Sequence, residues 1–113
     1  MYMITSSGCN NCRGVLTVNQ TYDSLLRNSE YYAISHFAEH IWPGAVLLTH
    51  QLTKSGPDAL VFTNTDHSIV IQLMNADSTS ELVNVVLVDE NLPGQCLRVL
   101  LPASSITTLI YTI

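Results

Sequence analysis

Residues 31–46 read Tyr-Tyr-Ala-Ile-Ser-His-Phe-Ala-Glu-His-Ile-Trp-Pro-Gly-Ala-Val, and in this stretch one helix ends and a run of strands begins. Ile34, Phe37, Ala38 and Ile41 recur at helical spacing and would form one apolar stripe. Pro43 and Gly44 stop the helix: proline lacks the N–H and disfavours α geometry in the residue before it, and glycine can take the left-handed turn. The spacing predicts a helix over residues 30–41, capped by Asn28 or Ser29, with Glu30 near its positive end and Leu25 and Leu26 packed beside it. After Gly44 the sequence reads as β. Strand-like runs at 45–52, 59–63, 68–74, 82–88, 96–101 and 106–111 are separated by Gly, Pro, Asn and Asp clusters at the spacing of a sandwich. The connection Asn64-Thr65-Asp66-His67 sits where a hairpin turn would use Asp-Gly, which predicts a positive φ at His67. Ahead of the helix, residues 15–18 form a short β-branched run fit for burial, with no expected pairing partner.

A chain of 113 residues allows one ordinary domain, or one small domain and part of another. Hydrophobic residues at 47% and charged residues at 12% argue against disorder and for a chain that buries much of itself or expects a covering partner. A net charge of −5 argues against nucleic acid as a partner, because tracking phosphates needs a basic surface. No run of about 18 apolar residues predicts a membrane span. The start, Met1-Tyr2-Met3-Ile4-Thr5-Ser6-Ser7, has neither the basic region nor the apolar core of a signal peptide. Asn19-Gln20-Thr21 is nevertheless a glycosylation sequon, which has meaning only in a secretory compartment.

Two motifs invite a metal or redox reading. His36-Phe37-Ala38-Glu39-His40 fits the inverted zinc-protease pattern, with two imidazoles one helical turn apart and a carboxylate beside them. A catalytic zinc also needs a third protein ligand and an open water position, so the polar side of a helix is the simpler reading, and no metal or other cofactor is expected. Cys9-Asn10-Asn11-Cys12 could be a redox pair, half a zinc site or a local disulfide. The redox reading wants a helix N-terminus directly after the motif, whereas Arg13 onward reads as a strand. Cys96 falls within a strand and is expected to be a buried free thiol. The nine acids fall on the helix, in turns or beside elements and read as solvated charge, so no catalytic residue is expected among them.

The order of these features resembles the last barrel helix and domain crossover of family 30 glycoside hydrolases, the group of lysosomal glucosylceramidase and microbial endo-β-1,6-glucanases. The Tyr31-Tyr32 pair, His36-Phe37 and Pro43-Gly44-Ala45-Val46 match, while Ser35 stands where the family usually has glycine and Ala38 where it has serine. Upstream, residues 8–18 look like the final barrel strand; downstream, residues 58–75 look like the first sandwich hairpin. The resemblance implies a mainly β fold: residues 1–44 as the last strand and helix of a (β/α)8 barrel, and residues 45–113 as its accessory β-sandwich, with a sheet edge left open. It implies that Cys9 and Cys12 form a loop disulfide and that Asn10 and Asn11, at the mouth of the barrel, touch sugar. In the family the two catalytic glutamates end the fourth and seventh barrel strands, positions that precede Gly8.

The expected function is therefore that of a C-terminal fragment of a retaining β-glycosidase, inactive alone, with the sandwich bracing the barrel. Its expected partners are the missing barrel and, through it, a β-glucoside or glycosphingolipid substrate; its expected location is secreted or lysosomal. The rival is a free-standing β-sandwich binding module for carbohydrate or protein. Such modules show surface aromatics spaced to stack on sugar rings, and Trp42 is the only tryptophan. Peptide mapping after thiol blocking tests the disulfide: in protein from a secretory host Cys9 and Cys12 should be recovered joined, and labelling of both without reduction counts against the pairing.

Overall fold

The computed structural model describes residues 14–53, 55–89 and 92–112. The chain divides into two compact units, Met1–His40 and Ile41–Ile113.

In the first unit, β1 (Leu16–Asn19) pairs antiparallel with β2 (Ser24–Arg27), and α1 (Ser29–Ala38) follows. Residues 15–18 are therefore neither unpaired nor buried as the sequence predicts: Leu16 and Val18 are exposed, and Val18 lies opposite Leu25. Asp23 supplies the positive φ that closes the hairpin. Leu25 and Leu26 belong to β2 and remain exposed. Asn28 stands at the N-cap position without a side-chain capping bond. Its side chain is spent elsewhere: Nδ2 donates to Gly14 O at 2.7 Å and Thr17 Oγ1 at 2.8 Å, while its backbone N–H donates to Val15 O at 3.0 Å. Arg27 lies 4.8 Å from the centre of the Tyr31 ring, a cation–π contact between hairpin and helix. The helix ends at Ala38, three residues before the expected Ile41: Glu39 N–H still donates to Ser35 O in the helical pattern, and His40 N–H then donates to Phe37 O, a tighter turn in place of a further helical bond. No residue of α1 is buried.

The second unit is a β-sandwich. One sheet has the order β3-β4-β5-β8 (β3 Val46–Leu48, β4 Asp58–Thr63, β5 Ile69–Asn75, β8 Ser105–Tyr111), all antiparallel. The other is the hairpin of β6 (Glu81–Asp89) and β7 (Leu92–Leu101). Alternation builds the core: Val61, Ile71 and Leu109 lie side by side on the inner face, with Ala59 and Leu73 in the next row. The hairpin lays Val83, Val85, Leu87, Val99 and Leu101 against them. Strand β3 is three residues long where the sequence suggests residues 45–52; the other five expected strands are present with ends shifted by a few residues.

Strand β5 is buried on both faces. Val70 (1% exposed) and Gln72 point away from the core cluster yet are covered, and Gln72 Oε1 accepts from Thr108 Oγ1 at 2.6 Å. The chain crosses between sheets after β5 and after β7, and Asn75 ties both crossings. Its Nδ2 donates to Thr79 O (2.9 Å) and Pro102 O (3.1 Å), with Leu101 O farther at 3.4 Å, and its Oδ1 accepts from Asp77 N–H (3.1 Å). Ser104 N–H then donates to Asp77 O at 2.9 Å, joining the two loops directly.

These contacts predict two costs in urea unfolding of this unit. Asn75→Leu should lose about 1–3 kcal/mol for each buried polar group left unpaired, and Leu101→Ala, at a fully enclosed position, about 2–5 kcal/mol. A variant at either position that unfolds at the parent midpoint would contradict the packing described.

Candidate functional site

The best-connected polar site among the described residues lies where the second unit begins. The backbone N–H of Trp42 donates to Asn64 Oδ1 at 3.1 Å, and Ala45 N–H closes the Pro43-Gly44 turn onto Trp42 O at 2.9 Å. Asn64 Nδ2 donates to Ser68 Oγ at 3.1 Å, and Ser68 Oγ donates to Asp66 Oδ1 at 2.6 Å. The Ser68 N–H reaches the same carboxylate oxygen at 2.9 Å. Asn64 and Ser68 are buried; Asp66 is exposed. Backbone conformation does the rest: His67 has φ 67°, as its place in the turn predicts, and Gly44 has φ 91°. A Cβ at Gly44 would lie 3.0 Å from Thr65 Cγ2, so a larger residue would have to push the Thr65 methyl aside as well as take a left-handed φ.

This arrangement holds a turn and does not perform acid–base chemistry. Hydrogen bonds from the Ser68 hydroxyl and backbone N–H hold the Asp66 carboxyl below the usual carboxylate range. A glycosidase acid needs the reverse, a carboxyl raised so that it keeps its proton near neutrality. Glu30 and Glu39 lie at the two ends of α1, Asp23, Asp66 and Asp77 in loops, and Asp58 and Glu81 open strands. Among the described residues no three His, Cys, Asp or Glu side chains converge to hold a metal ion. Within the His36-x-x-Glu39-His40 motif, His40 Nε2 lies 3.9 Å from Glu39 Oε2.

Of the residues singled out in the sequence, Cys9, Asn10, Asn11 and Cys12 lie outside the described residues. Asn19 is the last paired residue of β1 and is exposed. Cys96 is free but exposed, not buried. It pairs with Val86 on the outward side of the hairpin, separated from the Leu82–Leu100 pair on that side by Asn84 and Arg98, and Val86, Cys96, Leu82 and Leu100 are all exposed. The sequence shows β6 and β7 as apolar without showing which face meets the other sheet. Leu97 even shares the inner face with Val85 and is still 54% exposed, so the hairpin presents apolar surface on both sides. Strand β8 adds an edge: among the described residues it pairs only with β5, and it carries no charged side chain. On α1, Ile34 and Phe37 are exposed as well. No helix among the described residues is long and apolar enough to cross a membrane.

The glycosyl hydrolase family 30 beta sandwich domain matches residues 44–109. Two solved structures extend the likeness beyond the sandwich. SrfJ from Salmonella typhimurium is 25% identical over 88% of this chain, with a TM-score of 0.79, and the endo-beta1,6-glucanase BT3312 is 28% identical over 94%, with a TM-score of 0.75. The chain spans only 21% and 23% of those two proteins. No curated protein matches it.

Acid unfolding checks the Asp66 geometry. A carboxyl whose folded pKa is depressed stabilises the fold fully above its unfolded pKa, about 4, and loses that contribution as pH falls through the lower folded value. Asp66→Asn should therefore be less stable than the parent at neutral pH, with the gap narrowing as pH drops below about 4. A gap that is constant with pH would mean the carboxylate is not the acceptor.

Proposed function

Because the chain belongs to glycoside hydrolase family 30 through its β-sandwich domain, we propose that it works as the C-terminal part of a retaining β-glycosidase. The carrying observation is the likeness over 94% of the chain to an endo-β-1,6-glucanase of which it spans 23%. In this reading the remaining length supplies the two carboxylates, about 5 Å apart, that retaining hydrolysis requires. We take the substrate class to be a β-glucoside, and the likeness to an endo-β-1,6-glucanase favours β-1,6-glucan over glucosylceramide.

The role of this chain is to brace the catalytic barrel. Exposed Leu82, Val86, Leu97 and Leu100 on the hairpin, Ile34 and Phe37 on the helix, and the uncharged edge of β8 are surfaces suited to cover by the rest of an enzyme. Asn10 and Asn11, between Cys9 and Cys12, would meet the sugar from the barrel mouth, the face on which such barrels carry their sites. Secretion or a lysosomal address fits this chemistry and the sequon at Asn19.

The test is made on the native protein, captured from its source with an antibody to this chain. It should migrate far above 12.4 kDa and hydrolyse β-1,6-gluco-oligosaccharides with retained anomeric configuration by NMR. The isolated chain should show no turnover, since losing positioned acid–base catalysis alone costs roughly 10²–10⁴-fold in rate. A native product of 12.4 kDa would overturn the proposal. So would turnover by purified chain that persists when Glu30, Glu39 and Glu81 are each changed to glutamine.

A further inference from the structure

We infer that Asn19 is an acceptor for an N-linked glycan, placed so that the fold carries the glycan without rearrangement. Asn19-Gln20-Thr21 is the only Asn-x-Ser/Thr tripeptide in the sequence, and its middle residue is not proline. The structure places it at the open end of the β1–β2 hairpin, where Asn19 opposite Ser24 is the last pair of the ladder and residues 20–23 form the turn. Residues 18–24 are all exposed, with Tyr22 at 78%.

The side-chain geometry separates the two ends of the amide. Thr21 N–H lies 3.1 Å from one of its terminal atoms. A backbone N–H can only donate, so that atom is Oδ1, and Nδ2, the nitrogen to be modified, has no protein partner among the described residues. Asn28 in the same unit is the counterexample: it is buried, and both Nδ2 protons are engaged, by Gly14 O and Thr17 Oγ1. A glycan there would break the contact that joins the hairpin to the start of the helix. At Asn19 it breaks no protein contact of Nδ2, and a bulky hydrophilic group would shield the exposed Tyr22 ring.

The donor class is a lipid-linked oligosaccharide. A bond forms between Nδ2 and C1 of the first sugar, and the C1–O bond to the lipid pyrophosphate breaks. The pyrophosphate leaves with the electron pair and Nδ2 gives up one proton.

The whole chain, carried behind a cleavable leader into a eukaryotic secretory host and in parallel into microsomes during cell-free translation, provides the test. Peptide:N-glycosidase in ¹⁸O-water should convert Asn19 to labelled aspartate. The mobility shift should vanish in Asn19→Gln, Thr21→Ala and Gln20→Pro and persist in Thr21→Ser. Glycosylated and deglycosylated chains should give superimposable circular dichroism. Unmodified Asn19 in both systems, a shift that survives Asn19→Gln, or a spectrum altered by the glycan would overturn the inference.

Discussion

The sandwich depends on the side chain of Asn75. Two sheets can pack face to face only if the chain crosses between them, and each crossing leaves backbone groups without a ladder partner. Here the two crossings, after β5 and after β7, lie next to each other, and one buried amide serves both. An apolar residue of similar size would fill the space but remove the bonds to the Asp77 N–H and to the carbonyls of Thr79 and Pro102, and leave the buried Leu101 carbonyl without this donor. An amide offers two donor protons at one end and an acceptor at the other in that volume.

The opposite end of β5 follows the same logic. Asn64 and Ser68 flank the tight turn that leads into the strand, and Asn64 also accepts the Trp42 N–H at the start of the unit. Strand β5 is thus clamped at both ends by buried asparagines, while its alternate residues Ile71 and Leu73 enter the core and Val70 and Gln72 are covered on the other face. With both faces and both ends fixed, a one-residue register slip would expose Ile71 and Leu73 and unpair both amides.

This division explains what could be read from the sequence. The strands were legible because apolar alternation reports burial on one face, and β4 and β8 follow it at Val61 and Leu109. The positive φ at His67 was legible because turn chemistry is local. The roles of Asn28, Asn64 and Asn75 were not: asparagine reads as a turn former, and nothing local tells a solvated amide from one that bonds carbonyls 26 or 27 residues away. Strand β2 was hidden because Ser24-Leu25-Leu26-Arg27 lacks β-branched residues and depends on pairing with β1. Cys96 was misplaced because β6 and β7 are apolar on both faces, so alternation carries no sign there. Proline and glycine at 43 and 44 mark the turn correctly, but the helix ends where its hydrogen bonds tighten, at Ala38.

The family was legible for a different reason. A resemblance rests on the order of fixed points, here Tyr31-Tyr32, His36-Phe37 and Pro43-Gly44, and not on burial. In the structure Gly44 takes the left-handed conformation with Thr65 against it, and the Trp42 N–H meets Asn64. Gly44 and the Trp42 N–H therefore hold the first turn of the sandwich against the β4–β5 turn, a structural task with no catalytic group in it. Hydrolysis of a glycosidic bond asks for two carboxylates in different protonation states, whereas Asp66 is held towards ionisation by its serine. The turn by which the family is recognised and the carboxylates by which its members hydrolyse sugars therefore make separate demands on sequence, which is why this chain can be assigned to a family of hydrolases from its sandwich domain alone.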